Sequence, residues 1–481
     1  MTARRIPLFL LGLIAFAGSL GAQADFRVYT DHPRLFLEPD RLQRLVRDVE
    51  RETPRWLRLA DLLAAEAPMP EAAVAQALAF RVANDEARGR RAVEQMLLRA
   101  KAGTLGDPGV LRQAALVFDW CYELLNDEEL TTLAKAMGAQ AELQSQLAGT
   151  ELGRVRDGLL ASVALAGDWE GAEPAIGSFL ENQWKQDLVP LLQAGELTDY
   201  GEDLIALLEI SHAVRRNLER DLWRDVPLVF RSLPDVRILQ YTDETAETEE
   251  GRVRLRVLPE TDEPEHEAML GRIAEMMLVA YDSNARPFQF LQGWLRNDSL
   301  TLTGLTGTLY EFLWINPYLP GLSPSSGLLT AHDEVRGRIF ARQGWDEDDL
   351  WLGYWDGRLR LIAGGELMEV SVSDKQAPLL FPGVSVVLPE MDTKIDVAIS
   401  EPAMAIFPTI YLVGLKEGRG YNVRVQKQDW RLVTAERGGI VVIRNTAEKD
   451  SVKVDFSKKV RVQIRPSLEQ PPGRGKPSLL D

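Results

Sequence analysis

The spacing of apolar residues changes once along this chain, from a period of 3.6 to a period of 2, and that switch fixes its gross plan. Through about residue 314 the apolar positions recur at helical spacing. Pro317, Pro320 and Pro324, with Gly321 and Gly327, then make a breaker-rich stretch. From Arg338 onward the runs are short, alternating and bounded by turn residues. At 481 residues the chain exceeds what one hydrophobic core usually supports, so the switch reads as a domain boundary. The expected fold class is multi-domain α + β. A helical domain covers 25–320, a linker 321–335, an antiparallel β-sandwich 336–466, and a Pro-, Gly- and Lys-containing tail 467–481 is expected to be disordered.

Within the helical part, Leu42, Leu45, Val46 and Val49 follow Glu38-Pro39-Asp40, where Pro39 suits a first turn. Asn126-Asp127-Glu128-Glu129 reads as a capping box ahead of Leu130, Leu133 and Met137. Val110 to Leu125 has the broad apolar stripe of an inner helix, and helical spacing continues through Ile176–Leu192, Leu204–Val214 and Met269–Leu278. Such alternation suits a bundle, a solenoid or a toroid of helical hairpins, and no fixed-period repeat is present. An acidic insertion at 240–267 interrupts it. Thr242 to Glu250 reads there as a solvated loop, and Val253, Leu255 and Val257 as a short strand. Further on, Asp356-Gly357 and Gly438-Gly439 each read as a hairpin turn, and Val452–Phe456 and Val460–Ile464 as the last strands.

The N-terminus predicts export. Arg4 and Arg5 precede an apolar stretch from Ile6 to Leu20, too short for a comfortable membrane span, and Ala22-Gln23-Ala24 is a small-x-small cleavage pattern. Residues 1–24 are therefore expected to be a signal peptide, cleaved near Ala24, with the mature chain periplasmic or secreted and not stably inserted in a membrane. The single cysteine, Cys121, reads as a buried thiol. A net charge of −17 argues against nucleic acid as a partner. It admits an acidic polymer only where basic side chains gather locally.

His32-Pro33-Arg34-Leu35 at the mature N-terminus, the Phe118-Asp119-Trp120 segment, Ala164-Leu165-Ala166-Gly167-Asp168, Thr198-Asp199-Tyr200 and Phe340-Ala341-Arg342-Gln343-Gly344-Trp345-Asp346 occur in this order. Together they resemble the heparinase II/III-like polysaccharide lyases. That resemblance implies an N-terminal α/α toroid, a C-terminal β-sandwich, and an acidic polysaccharide or other glycan as partner. Lyases of this kind cleave uronate-containing glycans by β-elimination, with a base at C5 and an acid for the leaving oxygen.

The likeness breaks at the chemistry. Where the family carries an Asn-His pair, the chain reads Gly149 to Asp157 with neither residue; where the family has Gly-His-x-His-x-Asp, Leu361 to Glu369 has no histidine. Of the family's catalytic groups only Tyr200 falls at a matching position. A phenol needs a cation nearby to work near neutrality, which makes Arg154 and Arg156 candidates to lower its pKa or to grip an acidic sugar. The plainer reading makes Tyr200 a packing residue. Trp169 is a candidate sugar-stacking platform at a helix junction. Asp119 reads as a buried structural carboxylate, His212 as a satisfied core or boundary histidine, and the four histidines are too scattered for a metal set. No cofactor is implied. Three functions stand: a glycan-binding relative with an incomplete elimination site, a divergent lyase using Tyr200, and a toroid hydrolase with a carboxylate pair such as Asp199 and Glu202. The first is the expectation.

Overall fold

A computed structural model describes residues 26–197, 201–256, 276–278, 281, 283–297, 301–346, 348–355, 357–364, 366–371, 377–389, 394–398, 409–427, 429–444 and 459–467. The export segment 1–24, Thr198 to Tyr200, His266, the Val452–Phe456 strand and tail residues 468–481 lie outside the described residues.

The architecture is α + β, helices first. Helices α1 (Pro39–Glu50) and α2 (Pro54–Ala64) each open on a proline at the first helical position, where a missing N–H is no loss. They are followed by α3 (Ala72–Ala83), α4 (Glu86–Ala102), α5 (Val110–Trp120), α6 (Asp127–Gln144) and α7 (Leu152–Ala164). Burial alternates along this series. All but two residues of α7 are buried, whereas α6 buries only the stripe containing Leu133, Met137 and Ala141. Helices wrapped by protein thus alternate with helices half in water. The capping box reads true: Asn126 Oδ1 accepts from the N–H of Glu128 and Glu129, and Glu129 Oε2 accepts from Asn126 N at 3.1 Å.

The series continues through α8 (Ala172–Ser178), a widened turn (Phe179–Leu188), α9 (Val189–Ala194), α10 (Gly201–Leu218) and α11 (Pro227–Leu239). The acidic segment after α11 corrects the expected loop. Residues Tyr241–Thr248 form β1, which pairs antiparallel with β2 (Gly251–Arg256). Glu247 stands opposite Arg252 in the register, and Arg252 donates to Thr245 Oγ1 at 3.1 Å, so the polar run gains a cross-strand partner. In the turn, Glu250 accepts from the N–H groups of Thr306 and Gly307. It thereby caps the start of the last helix described; α12 (Arg286–Asn297) precedes this one, α13 (Gly307–Trp314).

Strand pairing resumes earlier than the period switch indicates. β3 (Thr330–Asp333) lies inside the stretch expected as linker, held because Ala331 and Asp333 are buried and Asp333 Oδ2 accepts from Arg338 Nη2 at 2.6 Å. It pairs with β4 (Arg338–Arg342), followed in antiparallel order by β5 (Trp351–Trp355), β6 (Arg358–Ala363) and β7 (Glu366–Val370). β5 and β6 pair as the expected hairpin, Trp355 opposite Arg358, while Asp356 itself lies outside the described residues. A second sheet contains β8 (Leu379–Phe381), β9 (Val384–Val387), β11 (Thr409–Leu412) and β14 (Val441–Arg444); β9 and β11 run parallel, an exception to the antiparallel expectation. A third contains β10 (Lys394–Ala398), β12 (Gly420–Val425), β13 (Arg431–Thr434) and β15 (Lys459–Pro466).

The Gly438-Gly439 expectation needs correction. β13 pairs with β12 and β14 with β11, so the two glycines turn the chain from one sheet to another rather than closing a hairpin. Both have φ near +70°, and a Cβ on Gly439 would lie 1.9 Å from Leu415 O. Only glycine fits such a corner. Helices and sheets meet where Val236 and Leu239 of α11 pack on Ala331 and Phe340, with Arg342 wedged between the rings of Trp345 and Trp351.

The N-terminal segment that precedes α1 is clasped to the helical core. Asp119 accepts from the N–H of Leu35 at 2.8 Å, from Arg34 N at 2.9 Å and from His32 Nδ1 at 2.6 Å. The Arg34 guanidinium donates to the carbonyls of Val163 and Ala166 at the end of α7, and one of its nitrogens lies 2.7 Å from His32 Nε2. Asp119 is the structural carboxylate its apolar helix led one to expect. The clasp fixes where α1 starts, and α1 builds the site.

Candidate functional site

Two adjoining hollows of about 430 and 590 Å³ share Arg41, Arg44, Arg216, Ser283, Asn316 and Leu319, and form one cleft. Arg41, Arg44 and Arg47 project from α1 and Arg51 from its C-cap, at spacings of three, three and four that align them along one helical face. Arg215 and Arg216 reach in from the last turn of α10. Among the described residues six arginines thus face two lining carboxylates, Glu38 and Asp40, in a chain of net charge −17. This is a local inversion of the molecule's sign.

The guanidiniums are crowded. Burial, with Arg41 and Arg55 close by, pushes Arg44 down to about 9. Burial also lowers Arg41, which donates to Phe36 O at 2.6 Å and lies 4.8 Å over the Trp314 ring. Arginine keeps its proton near neutrality, so these shifts measure how poorly the free protein solvates its own charges. Arg44 Nε and the indole Nε1 of Trp314 are buried donors without a protein partner among the described residues. Two orphan donors beside an excess of positive charge fit a ligand rich in anionic and hydroxyl oxygens.

Glu38 is the hub on the other side. Burial pushes its carboxyl up, but His212, then Arg41, hold it well below the usual carboxylate range. His212 Nε2 lies 2.7 Å from Glu38 Oε1, Arg216 Nε 3.5 Å from the same oxygen, and Arg41 Nη1 3.5 Å from Oε2.

Of the residues singled out in the sequence, those described lie elsewhere. Tyr200 is outside the described residues. Its neighbour Gly201 opens α10, and Arg215 stands 14 residues further along, about 21 Å by the helical rise. Arg154 is exposed and paired with Glu151 at 3.4 Å. Arg156 is buried and spent: it pairs with Asp157 at 2.8 Å and Glu209 at 3.3 Å. Glu209 also holds Arg112, whose Nη1 reaches Glu71 at 2.9 Å, and Tyr310 donates to Glu71. This network ties α5, α7, α10 and α13 together from within, where a sugar carboxylate has no access to Arg156. Trp169 is half-buried over Gly138 and Gly171, whose missing side chains leave room for its ring. It packs against the core rather than standing clear as a platform. Glu202 is exposed in the first turn of α10, and its suggested partner Asp199 is outside the described residues.

Sequence reading missed the cleft although half its signal was present. The arginine spacing on α1 is local; its convergence with Arg215, Arg216 and Asn316 comes from residues about 165 to 275 positions away. Among the described residues no group of three or more His, Cys, Asp or Glu side chains is placed to hold a metal ion, and no helix is long and apolar enough to cross a membrane. No protein-family model matches the chain, and no curated protein is significantly similar to it.

Proposed function

We propose that this is an exported, heparinase II/III-like protein that binds acidic polysaccharide in the arginine-lined cleft and lacks a complete β-elimination site. In this reading the alternating buried and half-buried helices close into an α/α toroid, the sheets beyond Thr330 form a β-sandwich, and the mature chain works in a periplasm or the medium. The observation that carries the proposal is the cleft itself: among the described residues, six arginines with orphan donors on Arg44 and Trp314. Guanidinium forks match carboxylate and sulfate oxygens, and a linear row of them suits an extended polyanion.

Binding without turnover is favoured, by the state of Arg156, over a lyase in which that arginine activates Tyr200. A sugar held by Arg215 and Arg216 sits at the far end of α10 from Gly201, and Arg156 has no free fork to offer a phenol. The histidines of both elimination motifs are missing from the sequence as well. The deciding experiment pairs calorimetric binding of polygalacturonate and heparin to the mature protein with a scan for ultraviolet-absorbing unsaturated products. Binding weakened in Arg44→Met and in Arg216→Ala, with no new absorbance, is the expected result. Robust elimination that disappears in Tyr200→Phe overturns it.

A further inference from the structure

His212 is the second-row residue of the cleft. It is 2% exposed, stacks on Phe36 at 5.7 Å and meets the Trp314 ring edge-on at 5.9 Å. The charged groups that face it are Glu38 from the N-terminal segment, Arg41 from α1, and Arg215 from its own helix; Arg216 bears on it through the shared Glu38 oxygen. Its Nδ1 is buried with no partner among the described residues. One carboxylate therefore serves an imidazole and two cleft guanidiniums at once. Resting on the cleft reading above, we infer that His212 is a positioning residue that couples anion binding to proton uptake: an anion seated on Arg41 and Arg216 loosens their hold on Glu38, and Glu38 then holds a protonated His212.

The sign follows from the charges. In the free protein burial, then the nearby arginines, outweigh Glu38 and keep the imidazole below its ordinary value. A bound anion neutralises the arginines, so the imidazole of the complex titrates higher than that of the free protein. The complex takes up a proton, and affinity rises as pH falls through the interval between the two values. One linked proton allows at most about a tenfold gain per pH unit. Above both values this contribution vanishes.

The test uses dextran sulfate, whose charge does not titrate between pH 7 and pH 4.5. Calorimetry in two buffers of different ionisation enthalpy reads proton uptake directly, and the four histidines of the chain allow the His212 signal to be followed by NMR with and without polymer. The expected result is net proton uptake on binding in the pH interval between the His212 titrations of the free protein and of the complex, an upward shift of that titration in the complex, and a flatter pH profile in His212→Gln. Where His212→Gln folds poorly, Glu38→Gln replaces it and is expected to flatten the profile likewise. Wild-type binding without proton uptake, or the same pH profile in a folded variant, overturns the coupling alone. Failure of wild type to bind dextran sulfate at any pH in this range removes the polyanion reading beneath it.

Discussion

Arg44 holds its charge in an inhospitable position. Its Nε has no protein partner among the described residues, and like charges on Arg41 and Arg55 add to the effect of burial. Replacing it by methionine keeps the apolar stem and removes the poorly solvated head. Affinity for polygalacturonate is expected to fall about ten- to hundredfold, the range for losing a hydrogen bond to a charged group. Thermal stability is expected to hold or rise, because the folded state disfavours this charge. Calorimetry and a melting curve on the same preparation check both, and a large loss of stability refutes the argument. Asp119 gives the opposite case. Asp119→Ala leaves His32 and the N–H groups of Arg34 and Leu35 without their shared acceptor, and about 3–5 kcal/mol of stability is expected to go. Denaturant unfolding measures it.

At the level of elements, local signals were legible and partner choice was not. Asn126 and Glu129 sit three apart and satisfy each other, so their sequence spells out the start of α6; Asn126→Ala is expected to cost about 1 kcal/mol by denaturant unfolding. Gly438-Gly439 looks like any hairpin turn until β13 and β14 choose β12 and β11, a decision made by side chains far away in sequence. Thr242 to Glu250 reads as solvated because its acids have no local partner, and most of it becomes a strand because β2 pairs with it and Arg252 donates across to Thr245. His332 on β3, packed edge-on against Tyr411, shows the same dependence on context. Burial pushes its imidazole down to about 4. The unfolded chain binds this proton below its ordinary value of about 6.5 and the folded chain does not, so stability is lost as pH falls from about 6.5 towards 4. Up to about 3 kcal/mol is at stake. Melting curves at pH 7 and pH 4.5 should separate wild type from His332→Gln, with the variant losing less.

For the whole molecule, the decisive contrast is between a net charge of −17 and a cleft where arginines dominate. Spread acidity repels a polyanion at long range, while the arginine row attracts it at contact. The Debye length is about 10 Å at 0.1 M salt, so moderate salt damps the repulsion at range and higher salt weakens the exposed contacts. Arg216, with about half its side chain exposed, belongs to the screened set, whereas Arg41 and Arg44 lie deeper and are screened less. Affinity for polygalacturonate is therefore expected to decline as sodium chloride rises from 0.1 to 0.5 M (about 10 Å to 4–5 Å of Debye length), yet to retain a salt-resistant part. Arg216→Ala should flatten the decline, and Arg44→Met should remove the resistant part. Titrations of the three proteins across that range check it. Binding that is indifferent to salt in all three would mean that the polymer is held by something other than these arginines.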